Sequence, residues 1–255
     1  MHDRAENTMV CNVRHGDETL TEKEKFTMPE PRAITRMTPA RAIESWPSSS
    51  GRRYDSAVTK DEKHRLERQY GLNYNELLDA MDRRFRAKVT LEGAVAEVQM
   101  AKRIKALQDI GVVARFDERD EDGVHDFDIW LPNRKKVIRA ECKNVRDHDE
   151  AFRVDGQIVA YKVETQKTRT SQGDASSRYY GVDQFDILGV CLGKKTGDWT
   201  QFLYTRVKNL AKHKTHAGKL AAIQRVPLPA GSLIGGWTLD LRALLDEIRR
   251  EPDAA

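Results

Sequence analysis

The chain has 255 residues, of which 33% are charged and 39% hydrophobic, and its 44 basic and 40 acidic side chains leave a formal net charge of +4. This length can bury a core of ordinary size, and the mean hydropathy of -0.69 is typical of a soluble globular protein. No apolar run reaches the roughly 18 to 20 residues of a membrane span. The segment MHDRAENTMV also lacks the apolar core of a signal peptide, so we expect a cytoplasmic protein without a membrane partner.

The first part of the chain predicts an arm and a helical appendage. Residues 1–53 combine scattered charge with the segments MPEPRAITRM and WPSSSGRR and have no apolar periodicity, so we interpret them as a flexible arm. Residues 54–90 contain two helical patterns separated at Tyr70-Gly71. These helices could form a helix-turn-helix that presents basic side chains to a phosphate backbone. A helical hairpin packed on the main domain is the preferred interpretation.

Residues 91–255 predict one α/β domain. Apolar residues recur at helical spacing from about Leu91 to Asp109, and again from Thr238 to about Arg250. Between them, VVARF, DFDIWL and KKVIRAECK indicate short strands, and FDILGVCL and WTQFLYTRV indicate two strands that finish the sheet. The segment AFRVDGQIVAYKVETQ suits a hairpin around Asp155-Gly156, with a helix in its second half as the alternative. A helix that leads into a series of strands is expected.

A cluster of charged residues lies in two of these strands. Successive side chains on a strand point to opposite faces, so Glu141 and Lys143 share one face with Arg139, while the residues between them point into the core. If the preceding strand pairs antiparallel through the PNRK turn, Asp128 lies level with Glu141. Asp126 shares the face of Asp128 and is the alternative carboxylate. The apolar pair that directly follows Asp128 favours Asp128.

The chemistry of this cluster favours a metal site. Two nearby carboxylates repel each other unless a cation neutralises them, and hard oxygen ligands are those that Mg²⁺ prefers. Mg²⁺ held by Asp128 and Glu141 would polarise a phosphate and activate a water, and Lys143 would orient or deprotonate that water and stabilise the developing charge. An E-x-K pattern taken alone is more often a surface ion pair. With the surrounding elements in this order, phosphodiester hydrolysis is the expected reaction.

These residues and elements resemble the PD-(D/E)XK nuclease superfamily from about Leu91 to about Val207. The family often carries a further acidic residue in a G-x-x-x-E context on the helix before the sheet. Gly93 and Glu97 occupy those places here, and Glu92 is the competing carboxylate. The resemblance implies an α/β fold with a restriction-endonuclease-like mixed central β-sheet flanked by helices, to which the N-terminal helical appendage is added.

The resemblance further implies a Mg²⁺-dependent endonuclease that acts on DNA, with Mn²⁺ able to substitute. Its metal ligands would be Asp128 and Glu141, and its catalytic residues Glu97, Asp128, Glu141 and Lys143. One departure from the family pattern is that no proline precedes Asp128, where the segment HDF stands instead. A homodimer would place two sites on a duplex for a double-strand break, and no small-molecule substrate is expected.

Two polar segments are candidates for contacting the nucleic acid. The segment QKTRTSQGDASSRYY lies where this family commonly borders its cleft, and Gln166 matches a glutamine that is common downstream in the family. The residues expected to contact DNA are Gln166, Lys167, Arg169 and Arg178. The segment TRVKNLAKHKTHAGK concentrates basic residues that suit a phosphate backbone, with a solvated loop as the equal alternative. Its histidines, His213 and His216, have no metal-ligand spacing and are interpreted as surface residues.

The leading functional hypothesis is an endonuclease in restriction, another prokaryotic defence process or DNA processing. A repair or junction-resolving nuclease, which recognises the structure of DNA rather than its sequence, would use the same site and stays an alternative. A non-catalytic nucleic-acid-binding module with this fold is a third hypothesis. The joint presence of the aspartate, glutamate and lysine argues against that module.

Overall fold

The computed structural model describes residues 63–121, 123–147, 150–167, 174–231, 233 and 235–252. The predicted arm at residues 1–53 and the first part of the predicted appendage lie outside these residues. The described residues belong to one compact unit and form a mixed α/β structure with two β-sheets. None of the described helices is long and apolar enough to cross a membrane.

The described residues form five α-helices and nine strands. The helices are α1 (Arg65–Tyr70), α2 (Tyr74–Asp82), α3 (Phe85–Asp109), α4 (Gly193–Thr196) and α5 (Leu241–Arg250). The strands are β1 (Arg115–Glu118), β2 (Phe127–Trp130), β3 (Ile138–Asn144), β4 (Ala151–Val154), β5 (Gln157–Glu164), β6 (Ile187–Cys191), β7 (Phe202–Arg206), β8 (Ile223–Val226) and β9 (Trp237–Thr238).

Local sequence explains the predicted break between the first two helices. The side chains of His64 and Asn73 begin α1 and α2 with capping boxes, which satisfy backbone N–H groups of the first turn. Gly71 ends α1 with a φ of 67°, in the left-handed region that glycine adopts without strain. Neither helix has a buried residue, so both lie on the surface of the compact unit.

The central sheet has six strands in the order β1-β2-β3-β6-β7-β9. Strands β3 and β6 run parallel, and the other neighbours are antiparallel. The second sheet has the order β4-β5-β8. Its β4-β5 hairpin turns at Asp155 and Gly156, whose φ angles of 49° and 78° suit a tight hairpin turn, and the predicted hairpin is therefore confirmed.

The central sheet is covered on both faces by apolar side chains. On one face, α3 and α5 pack through residues such as Met100, Ile104 and Leu245 against β2, β3 and β7. On the other face, Val163 and Val226 of the second sheet pack against buried side chains of β6 and β7. The polar residues of β3 project on this second side, because Ala140 and Cys142 belong to the helix-side core.

Two helix boundaries and two strands differ from the sequence prediction. The helix expected from about Leu91 begins at Phe85, because no glycine or proline interrupts residues 85–91, and the break lies at residues 83–84 instead. The predicted limit of the appendage at residue 90 therefore falls inside α3. The short β9 extends the central sheet beyond β7, so the strand pair β6-β7 does not finish it. Strand β8, which completes the second sheet, was not predicted.

Two glycines offer a matched test of packing. A Cβ at Gly193 would lie 2.5 Å from the indole of Trp199, a rigid ring packed against the core, whereas a Cβ at Gly93 would meet nothing within 4 Å. Gly193→Ala should therefore lower the free energy of unfolding by about 1–3 kcal/mol. Gly93→Ala, inside α3, should raise it by about 0.5–1 kcal/mol. Urea unfolding of both variants measures the difference, and equal effects would contradict this packing.

Candidate active site

Glu141 is the most deeply placed charged group on the polar side of β3. Its side chain is 1% exposed and forms an ion pair with Lys143 through Oε1. The hydroxyl of Tyr180 donates a hydrogen bond of 2.5 Å to the same oxygen. The other oxygen, Oε2, is buried and has no hydrogen-bond partner among the described residues. Glu141 thus has one oxygen held by two donors and one oxygen left for a ligand.

Asp126 is the aspartate that the fold brings to this pair. The backbone N–H of Cys142 donates a 2.7 Å hydrogen bond to its Oδ2, which fixes the carboxylate beside Glu141 and Lys143. Burial raises the pKa of Asp126 to about 7, and the negative charge of Glu141 adds to this increase, against the opposing effect of Lys143. Ionising Asp126 beside an ionised Glu141 is therefore unfavourable unless a bound metal ion neutralises the two carboxylates.

Asp128 lies two residues away along the same side and has other partners. In the β2-β3 ladder it is opposite Arg139, so the expected position level with Glu141 is wrong. Its Oδ2 accepts a hydrogen bond of 2.8 Å from Nε of Arg119, and its Oδ1 lies 2.6 Å from Nε2 of His125. These contacts occupy both oxygens of Asp128 with a guanidinium and an imidazole. The alternative that the sequence left open, Asp126, is the one beside Glu141.

The observed β2-β3 register is centred between Asn133 and Arg134, the middle of the PNRK segment, whereas pairing of Asp128 with Glu141 needs a centre one residue later. Residues 131–137 link β2 to β3, with Asn133 at a φ of 62°. A shift of one residue would move every side chain to the opposite face, but a shift of two keeps each one on its face. The apolar alternation of β2 and β3 is therefore compatible with both registers, and only the loop conformation distinguishes them.

The structure separates the two candidate glutamates on α3. Oε2 of Glu92 lies 2.8 Å from Nζ of Lys194, so this carboxylate is held in an ion pair. Glu97 is exposed but lies within the electrostatic reach of the β3 pair: partial burial raises its pKa, Lys143 opposes the increase, and Glu141 adds to it. These electrostatic interactions and the ion pair of Glu92 favour Glu97 as the helix carboxylate of the site, and its catalytic role stays a prediction.

Lys143 and Tyr180 both stay protonated at neutral pH. Burial lowers the pKa of Lys143, but the negative charges around it, first that of Glu141, outweigh burial and leave the pKa raised. Burial raises the pKa of Tyr180, and Glu141 raises it further. An ammonium group with a raised pKa is a poor base, so Lys143 is suited to donate hydrogen bonds and to stabilise negative charge.

The donor set can be tested against a divalent cation. The described residues contain no group of three or more His, Cys, Asp and Glu side chains arranged to hold a metal ion. Asp126 and Glu141 nevertheless fit Mg²⁺, which is usually held by one or two carboxylates and keeps several waters. The unpartnered Oε2 of Glu141 and the raised pKa of Asp126 are both features that a cation would relieve.

The residues expected to contact nucleic acid border this cluster. Nζ of Lys167 lies 6.0 Å from the centre of the Tyr180 ring, and Nζ of Lys143 lies 5.7 Å from it. Gln166 forms a bridge with Tyr179, and the backbone N–H of Lys167 donates a 2.9 Å hydrogen bond to the carbonyl of Arg178. The fourth expected residue, Arg169, lies outside the described residues. Lys167 therefore lies near the ring that holds Glu141, Gln166 and Arg178 belong to the backbone pairing beside it, and DNA contact stays a prediction.

Tyr180 is the residue of this site whose role sequence reasoning missed. Its position in the segment QKTRTSQGDASSRYY indicates only a residue near the expected cleft. Its contact with Glu141 joins residues 39 positions apart, and no local spacing indicates it. The contact depends on how the segment before β6 returns to β3, and the sequence alone does not fix that path.

Comparisons with known proteins complete the description of the site. No protein-family model matches the sequence, and no curated protein matches it. Among solved structures, a bacterial homing endonuclease is similar with a TM-score of 0.35 and 10% sequence identity, over 61% of this chain and 84% of that chain. A similarity this low does not support any function, so the function is inferred from the residues of the site.

Proposed function

We propose that the chain is a metal-dependent endonuclease that hydrolyses phosphodiester bonds of DNA. The observation that carries the proposal is the convergence of Asp126, Glu141 and Lys143, with the buried Oε2 of Glu141 left without a protein donor. The resemblance to the PD-(D/E)XK superfamily supports the same reaction, with Asp126 in place of Asp128. The mixed sheet follows α3 in the chain and carries the site on its β2-β3 pair. This order is compatible with a restriction-endonuclease-like arrangement.

In this proposal, Asp126 and Glu141 would hold Mg²⁺, or Mn²⁺ in its place. The bound ion would supply Lewis-acid polarisation of the scissile phosphate and would make a coordinated water more acidic. Tyr180 holds Oε1 of Glu141 and so directs Oε2 towards the ligand position. Glu97 would add a further acidic oxygen at the edge of the site.

Lys143 would act on the charge that develops on the phosphate. During hydrolysis, the oxygen of water forms a bond to phosphorus and releases a proton to solvent, the bond from phosphorus to the leaving oxygen breaks, and that oxygen takes up a proton from solvent. Because Lys143 stays protonated, it would orient the attacking water and donate a hydrogen bond to the phosphate oxygens. This favours the orienting role over the deprotonating role that the sequence left open.

The direct test is cleavage by the purified full chain. We expect cleavage of plasmid or linear DNA with Mg²⁺ or Mn²⁺ and none with EDTA. Lys143→Ala should reduce the rate by about a hundred- to thousandfold. Lys162→Ala should not, because that lysine lies on β5 above Phe152. No cleavage of duplex DNA, single-stranded DNA or RNA in either metal would refute the proposal.

The same substrates separate the biological roles that the proposal covers. Base-specific cleavage of duplex DNA would favour restriction or another defence process. Preferred cleavage of branched or single-stranded DNA would favour repair or junction resolution. Measuring the mass of the protein bound to duplex DNA would show whether two copies assemble for a double-strand break.

Tyr180→Phe tests whether the tyrosine positions the metal ligand. The variant keeps the ring but removes the donor to Oε1 of Glu141. Loss of a partner that orients a metal ligand typically costs about 10- to 100-fold in metal affinity or activity. We therefore expect slower cleavage and a higher Mg²⁺ concentration for half-maximal rate, measured by metal titration. An unchanged Mg²⁺ dependence would limit Tyr180 to a packing role.

A further inference from the structure

A cluster of three rings lies one residue from the proposed site. The rings of Tyr179 and His213 have centroids 4.4 Å apart, those of His213 and His216 are 4.6 Å apart, and those of Tyr179 and His216 are 5.5 Å apart. All three side chains are half-buried, so they pack against each other and also face solvent. Such distances are those of stacked or tilted aromatic pairs. These three residues are called the ring cluster below.

The backbone holds the ring cluster in place. Nδ1 of His213 accepts hydrogen bonds of 3.2 Å from the backbone N–H groups of Thr215 and His216. The backbone N–H of His213 donates a 2.8 Å bond to the carbonyl of Lys219. A surface held in this way loses little conformational entropy when a ligand binds. The ring cluster is therefore organised before any ligand arrives.

The loop that carries the histidines is tied directly to the residue that contacts Glu141. The N–H of Leu220 donates a 2.9 Å hydrogen bond to the carbonyl of Tyr180. Tyr180 turns inward to Glu141, while the neighbouring Tyr179 joins the ring cluster on the surface. A strand of nucleic acid that enters the proposed site would therefore pass close to these rings.

The charges around the ring cluster are mostly positive. Asp174 is an acidic group that interacts electrostatically with His216 and Lys219, and its oxygens accept hydrogen bonds from the backbone N–H and the hydroxyl of Ser176. Four basic residues are close to the rings along the chain: Arg178, Lys212, Lys214 and Lys219. Rings with several basic residues next to them along the chain suit a polyanion that also presents flat bases.

We propose that the ring cluster stacks on an unpaired base of single-stranded DNA next to the scissile phosphate, an inference that rests on the proposed nuclease function. In a duplex the face of each base is covered by its neighbours, so only an unpaired nucleotide can offer its face to Tyr179. The basic side chains hold the phosphates on either side. Stacking of this kind accepts any base, so the ring cluster selects for strand separation rather than for sequence.

The test measures binding in EDTA, so that cleavage does not interfere. The full chain is titrated into a labelled single-stranded oligonucleotide and into the duplex of the same sequence. Tyr179→Ala should weaken binding of the single strand about tenfold. The affinity for the duplex should fall by less than about twofold, because contacts to duplex phosphates do not use the ring. His213→Ala should show the same selectivity for the single strand.

Two controls separate stacking from loss of structure. Tyr179→Phe keeps the ring and should bind both oligonucleotides like the parent chain. Tyr74→Ala removes an exposed ring, 63% accessible on α2, and should also change neither affinity. A 2-aminopurine base placed in the single strand should be quenched by the parent chain and by Tyr179→Phe, and less by Tyr179→Ala.

The outcomes distinguish this inference from the proposed function. Equal losses on single strand and duplex, or an unchanged affinity in Tyr179→Ala, would overturn the stacking role while cleavage in Mg²⁺ still supported the nuclease. A chain that binds neither oligonucleotide and cuts no DNA would overturn both.

Discussion

Asp126→Asn is expected to reduce Mg²⁺-dependent DNA cleavage by about a hundred- to thousandfold. Asp128→Asn is expected to keep roughly 30% or more of the activity. The two residues lie on the same side of the β2-β3 pair, two positions apart, and receive the same chemical change. Only Asp126 is fixed beside Glu141 and Lys143, by the hydrogen bond from the N–H of Cys142. An asparagine there keeps an acceptor for that bond but loses the charge that a metal needs.

Asp128→Asn should instead show its effect in stability. The side chain of Asp128 is 8% exposed and accepts a hydrogen bond from Arg119, while His125 lies 2.6 Å from its other oxygen. Removing the charge weakens both contacts, and about 1–3 kcal/mol is typical for hydrogen bonds to charged groups. We therefore expect a lower midpoint of urea unfolding with cleavage retained.

Initial cleavage rates and urea unfolding of the two variants give a clear comparison. If Asp128→Asn abolished cleavage and Asp126→Asn retained it, the sequence-based assignment would stand and the site described here would be incorrect. If both abolished cleavage, Asp128 would contribute to the chemistry through His125 or Arg119. Circular dichroism of each variant excludes unfolding as the cause.

The elements with a strong periodic pattern could be predicted from the sequence. The apolar residues of α5 lie on one face, and Leu241, Leu244, Leu245 and Ile248 are all buried as expected. Strand β6 was predicted from a continuous apolar run, and each of its residues is buried because β6 is a central strand covered on both faces. In both cases, the burial of apolar side chains determines the structure, and the spacing of apolar residues in the sequence shows which side chains are buried.

The site could be predicted only in part because its geometry depends on loops. The alternation along β3 identified Glu141 and Lys143, since that pattern is local. The partner aspartate depends on the conformation of residues 131–137, which sets the register without changing which residues are apolar. The contact of Tyr180 with Glu141 depends on an even longer path, from β3 to the segment before β6. Neither path leaves a periodic pattern in the sequence.

The second prediction concerns stability: because ionising a buried carboxylate is unfavourable, removing the charge of Asp126 should raise the free energy of unfolding while it reduces activity. Burial and the charge of Glu141 raise the pKa of Asp126 from 3.8 to about 7 in the folded chain. The folded state therefore binds the proton more tightly than the unfolded state. The stabilising effect of that proton is complete below about pH 4 and is lost as the pH rises through about 7.

Asp126→Asn does not lose this stability as the pH rises, because asparagine carries no charge at any of these pH values. In EDTA at pH 8, we expect the variant to be more stable than the parent chain by about 1–3 kcal/mol, since each pKa unit corresponds to about 1.4 kcal/mol. At pH 4 the two chains should have the same stability. Thermal or urea unfolding at both pH values measures the difference, and Asp128→Asn is the control, because it should be destabilised at pH 8.

Addition of Mg²⁺ at pH 8 should reverse this order of stability. The ion would stabilise the parent chain by about 4.1 kcal/mol at a concentration roughly 1,000 times its dissociation constant, because it binds the folded state. Asp126→Asn lacks one ligand and should gain far less. A parent chain that is already more stable than Asp126→Asn in EDTA at pH 8 would show that the buried carboxylate is satisfied by the protein itself. The reason for placing a cation between Asp126 and Glu141 would then be lost.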